Sequence, residues 1–207
     1  MSFLDIIFPK TCVGCKRVGK YICADCLSQV KVTNRFDPTH EIFSIFKYEG
    51  VVRKAIIKIK YGFAFDIAGE LATICVQSLP AKYISHLQNA ILIPIPLYRS
   101  RHSWRGFNQS EIIGQLIAKK LKVNFHKDLL TRPIEGKNQV GLTYSERVRN
   151  MCGKFAVNTV KISSIKTPNP KFVIFDDVAT TGSTLKEAIK TLKKSGLSQV
   201  TGLTIAE

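Results

Sequence analysis

An α/β fold with a small N-terminal appendage is what this sequence predicts, and three stretches predict it. Phe172-Val-Ile-Phe-Asp-Asp-Val-Ala-Thr-Thr-Gly-Ser-Thr184 reads as a buried strand, a glycine-hinged loop and the start of a helix. The stretch from Ala90 to Gln109 repeats that order of strand, loop and helix. Near the start, Cys12, Cys15, Cys23 and Cys26 form Cys-x2-Cys-x7-Cys-x2-Cys. At 207 residues and 45% apolar content the chain has material for one main core.

The cysteine spacing places four thiolates around one tetrahedral zinc ion and fills every coordination position, so the zinc would be structural. Gly14 and Gly19 suit the tight turns, and Lys16, Arg17 and Lys20 give the knuckle a basic surface. Before it, Met-Ser-Phe-Leu-Asp-Ile-Ile-Phe lacks a basic start and a cleavage site, unlike a signal peptide. That apolar start could contact a membrane surface, packing on its own domain being the commoner outcome. No run of about 18 apolar residues occurs, so no spanning helix is expected and the expected location is the cytoplasm.

From Glu41 to Tyr48 the apolar positions predict a strand that Gly50 breaks. A helix follows, with Val52, Ile56 and Ile59 on one side and Arg53, Lys54, Lys58 and Lys60 around it. Those four cations are candidates for a nucleic-acid backbone, the alternative being a solvated face whose stems cover apolar neighbours. Ile67, Leu71, Ile74 and Leu79 continue as helix with Cys75 in its core, and Cys152 carries no assignment. The formal charge of +16, from 31 basic against 15 acidic residues, points to a polyanionic partner or a polyphosphate ligand.

Ile91 to Ile93 is a strand, which Pro94 and Pro96 halt. Arg99, Arg101, His102 and Arg105 then arrive within seven residues, a density of guanidinium forks that suits a diphosphate. Asn108, with Glu111 three residues on, caps a helix whose stripe is Ile112, Ile113, Leu116, Ile117 and Leu121. Residues 161–171 read as a polar loop.

After the strand at Phe172 to Phe175, Asp176 and Asp177 stand at the sheet rim. Ala179, Thr180, Thr181, Gly182, Ser183 and Thr184 turn amides and hydroxyls toward one anion, and the next helix, with Leu185, Ala188, Ile189 and Leu192, adds its dipole. Neither a P-loop nor a dinucleotide glycine pattern is present. Val200 to Ile205 closes as a strand.

Two acids followed by a hydroxylated glycine loop and a helix resemble the phosphoribosyl diphosphate (PRPP) signature of type I phosphoribosyltransferases. With the cysteine pairs, the Pro-Ile-Pro-Leu segment leading to Arg-Gly-Phe-Asn-Gln (105–109), and Asn138-Gln-Val-Gly-Leu142 with Glu146, Arg147 and Asn150, the resemblance narrows to the ComF family of competence proteins. It spans residues 12–184. It implies a type I phosphoribosyltransferase-like domain over residues 39–207, with a mainly parallel sheet flanked by helices, behind a zinc-knuckle subdomain over residues 1–38.

Asp176 and Asp177 would hold the ribose, as the catalytic pair of an active enzyme, and residues 179–184 the 5'-phosphate. Arg99, Arg101 and Arg105 would take pyrophosphate, and Gln139 and Arg147 would lie in a hood over the ligand. The implied ligands are PRPP with Mg2+ and single-stranded DNA, and the implied role is handling incoming DNA in natural transformation beside other DNA-uptake proteins. The alternative is an active phosphoribosyltransferase using an unidentified base or amine.

Overall fold

The computed structural model describes residues 9–62, 65–132 and 154–207. The apolar start, Cys152, and the segment holding Gln139, Arg147 and Asn150 lie outside the described residues. Eight helices follow in chain order among those described: α1 (Ala24–Ser28), α2 (Gly50–Gly62), α3 (Phe65–Ser78), α4 (Ala81–His86), α5 (Arg99–Arg105), α6 (Gln109–Leu121), α7 (Thr159–Ser163) and α8 (Ser183–Lys194). The strands are β1 (Val32–Asp37), β2 (Ile42–Phe46), β3 (Ala90–Pro94), β4 (Asn124–Phe125), β5 (Leu130–Thr131), β6 (Ala156–Val157), β7 (Lys171–Val178) and β8 (Val200–Ala206).

Six strands form one sheet in the order β1-β2-β8-β7-β3-β4, and every neighbouring pair is parallel except β1 with β2. Parallel strands need both faces covered, and the apolar runs of β3 and β7 meet that demand. Alternation along β7 divides the core: Val173 and Phe175 pack with α2, α3 and α6, while Phe172 and Ile174 pack with α8. The molecule is thus an α/β fold with a mixed, mostly parallel sheet flanked by helices.

Several expectations change in detail. Gly50 does end the apolar run, but it does so as the first residue of α2, at a φ of 54° that favours glycine. The arginine-rich segment after β3 is helix α5, not an open loop. Residues 161–171 include the end of α7, whose start is capped by the Asn158 side chain accepting from Lys161 N at 3.2 Å. The edge strand β1 has a mixed pattern of exposed and half-buried residues that gave no period-2 signal. It belongs to the main sheet although it precedes residue 39.

Candidate functional site

The site begins with a cap. Asn108 precedes α6, its Oδ1 accepting from Ser110 N at 3.1 Å and its Nδ2 donating to Ile95 O at 2.9 Å. The turn after β3 is thereby tied to the start of α6. This sets two buried polar residues, Gln109 and Ser110, against the end of β7. Ser110 Oγ donates to Asp176 Oδ1 at 2.8 Å, and Gln109 Nε2 donates to Asp177 Oδ1 at 3.2 Å.

The adjacent acids take opposite faces of β7, as the strand period requires. Asp177 is only 3% exposed and shares its face with Phe175; its Oδ2 meets Lys60 Nζ of α2 at 2.5 Å. Asp176 is half-buried and lines the cavity of the loop that follows. Burial, and then the charge of Asp177, push the Asp176 carboxyl up to about 7. Lys60 and the Ser110 hydroxyl oppose that shift.

The loop encloses a cavity of about 40 Å³ lined by Asp176 and residues 178–185. Gly182 stands at φ 63°, where a side chain would be strained and a Cβ would come within 3.2 Å of Ile42 Cδ1. Among the described residues, the amides of Thr180, Thr181, Gly182 and Thr184 have no acceptor, whereas Ala179 N donates to Ala206 O. Thr181 Oγ1 and Ser183 Oγ lie 2.8 Å apart. Unspent amides at the start of α8, with hydroxyls beside them, make a cradle for one anion. The same loop borders a wider cleft of about 610 Å³ toward β1 and β2, so there is room for more than a lone phosphate.

Arg105 joins the acids through Gln109, donating from Nη1 to Gln109 Oε1 at 2.6 Å. Its Nε is buried without an acceptor among the described residues. Arg101 is exposed. Arg99 begins α5, and its backbone alone is described. Arg53, Lys54 and Lys58 are exposed along α2, but Lys60 of the same group turns inward to Asp177.

Arg132 is a residue that sequence reasoning passed over. Its guanidinium lies over the Tyr98 ring at 3.7 Å and the Phe155 ring at 5.0 Å. Burial lowers its pKa, partly offset by Tyr98 and by the charge of Asp176. A lone arginine after a two-residue strand carries no pattern to find. Ser110 had none either, whereas Gln109 closed a quoted motif.

In the appendage the ligand atoms of Cys12, Cys15, Cys23 and Cys26 lie within 4.8 Å of one another. Gly14 leaves the space this needs, since a Cβ there would fall 2.6 Å from Cys26 Sγ. Cys12 Sγ accepts from Cys23 N at 3.5 Å, and such backbone donors outweigh burial and bring its thiol down to about 6. Four sulfurs this close, with amide donors drawing Cys12 toward thiolate, are able to hold a metal ion. The appendage docks through Glu70 of α3, whose two carboxylate oxygens accept from Tyr21 N at 3.1 Å and Ile22 N at 2.9 Å.

No family model matches the chain. Curated proteins do. Competence protein F of Haemophilus influenzae is 26% identical over 187 residues, 86% of this chain and 75% of the relative. DNA utilization protein YhgH of Salmonella typhimurium is 29% identical over 165 residues, covering 79% and 70%. Competence protein ComFC of Bacillus subtilis is 23% identical over 153 residues, covering 74% and 58%. By descent, then, this chain is a homologue, at family level, of the competence protein F, YhgH and ComFC proteins.

Proposed function

We propose that this is a PRPP-binding, single-stranded-DNA-handling protein of natural transformation, built on a type I phosphoribosyltransferase-like domain with a structural zinc knuckle. The observation that carries the ligand is the cradle at the end of β7, where Asp176 and unspent loop amides share one cavity. The loop takes the 5'-phosphate, and Asp176 accepts from a ribose hydroxyl. Asp177 acts from behind, as the partner that holds Lys60 and Gln109 in place.

Arg105, Arg101 and Arg132 supply cations for pyrophosphate, and Arg99 stands on the same helix as the first two. Mg2+ on the polyphosphate would neutralise charge that these arginines share, with Asp176 as the nearest carboxylate in the cradle. Gln139 and Arg147 keep the hood role that the resemblance implies. The DNA part rests on the names of the relatives and on the charge of +16.

Calorimetric titration with PRPP and Mg2+ tests the reading. The wild type should bind, and Asp176→Asn should lose at least about tenfold in affinity, the scale of a hydrogen bond to a charged group. Absence of binding to wild type sinks it. A second reading is favoured by Asp176 lining the cavity of the loop, where a carboxylate can favour positive charge developing on a ribose: a nitrogen nucleophile attacks C1 of PRPP and pyrophosphate leaves. Pyrophosphate release with a panel of bases and amines decides between binding and turnover.

A further inference from the structure

Trp104 is 72% exposed on α5, and it is the only tryptophan in the chain. Tyr61, near the end of α2 and 61% exposed, meets it edge-on with ring centroids 6.2 Å apart. The Arg105 guanidinium lies 5.3 Å from the centre of the Tyr61 ring. A second edge-on pair, the exposed Phe65 with Phe107 at 5.2 Å, joins the same two parts of the chain. Aromatic rings are the side chains a domain gains most by burying, so several held out together mark a surface that meets something.

The surrounding charge says what. Arg101, His102 and Arg105 share α5 with Trp104, and that helix contains no acid. Arg53, Lys54 and Lys58 share α2 with Tyr61, and that helix contains no acid either. A protein partner drawn to rings alone would need no such cations. A single-stranded nucleic acid needs both, because each base offers a face to stack and each nucleotide adds a negative charge.

We infer that Trp104 and Tyr61 form a stacking platform for unpaired bases of single-stranded DNA, whose phosphates follow the cations of α2 and α5. The inference rests on the DNA-handling reading above and adds the residues and the mode of contact. It also sets the strand beside the acid site, since Arg105 touches the Tyr61 ring and leads through Gln109 to Asp177.

The lone tryptophan makes the test direct. The full chain is titrated with a deoxythymidine oligomer and with an abasic oligomer of equal length, following tryptophan fluorescence and, separately, anisotropy of a label on the oligomer. The deoxythymidine oligomer should quench the fluorescence; the abasic one should bind more weakly and quench little. Trp104→Ala should lower affinity about tenfold, within the range for one stacked base, and Trp104→Phe should restore most of it. An exposed ring contributes nothing to the core, so neither variant threatens folding. Binding by anisotropy with unchanged fluorescence and an unaffected Trp104→Ala overturns the platform and leaves the DNA reading standing. No binding of either oligomer overturns both.

Discussion

In the knuckle, four sulfurs, two from a turn and two from the N-cap and body of α1, face one another within 4.8 Å. At the end of β7, two neighbouring carboxylates face opposite sides of one strand and meet different partners. The knuckle gathers four like groups able to hold one metal ion between them. The β7 site closes Asp177 between Lys60 and Gln109 and leaves Asp176 half-buried at a cavity with a raised pKa. The difference teaches that groups closed in by their partners and a group left facing a cavity stand apart in this chain, and substitutions can separate their effects.

The largest expected effect is at the knuckle. Cys23→Ser should remove one bound zinc per chain and lower the melting temperature more than any change at β7, because metal-binding free energy in such a site is folding free energy. Metal analysis with melting curves before and after a chelator checks this. An untouched melting curve, with no zinc in the wild type, would erase the contrast.

Next comes the enclosed acid. Lys60→Met leaves Asp177 charged and buried without its cation, which should cost about 3–5 kcal/mol. Lys58→Met on the exposed face of the same helix should fall within about 0.5 kcal/mol of wild type. Denaturant titration measures both. Equal effects would mean that Lys60 is a surface lysine after all, with the DNA-contact role expected for it from sequence.

The smallest effect has the opposite sign. Because the folded-state pKa of Asp176 is raised to about 7, the folded chain holds that proton more tightly than the unfolded chain does. Stability of the unliganded protein therefore falls as pH rises from the ordinary carboxylate range through about 7, and then levels. Asp176→Asn should melt higher than wild type at pH 8, by about 2–4 °C for each kcal/mol of repulsion relieved, and match it near pH 4. A lower melting temperature for the variant at pH 8 would show that Asp176 supports the fold instead of opposing it.

Much of this was legible in advance. The strand at Phe172 to Phe175, the helix stripes after Val52, Asn108 and Ser183, and the Cys-x2-Cys pairs are local patterns. Each states its own period or spacing. The Asn108 cap was legible for the same reason: cap, helix and partner lie within a few residues.

Other features had no local mark. Ser110 reaches Asp176 across 66 positions, Gln109 reaches Asp177 across 68, and Lys60 meets Asp177 from another helix. In the sequence Lys60 is one of four similar cations, and only the packing of α2 on β7 turns it inward.

By itself, then, the sequence determined which segments are strands and helices, where four thiols gather, and that two acids precede a hydroxylated glycine turn, because these depend on backbone period and short-range chemistry. Tertiary structure alone decided which acid is silenced and which stays open, which lysine is an ion-pair partner and which rings remain outside. Those outcomes depend on which faces meet when the sheet is covered, and no single segment carries that information.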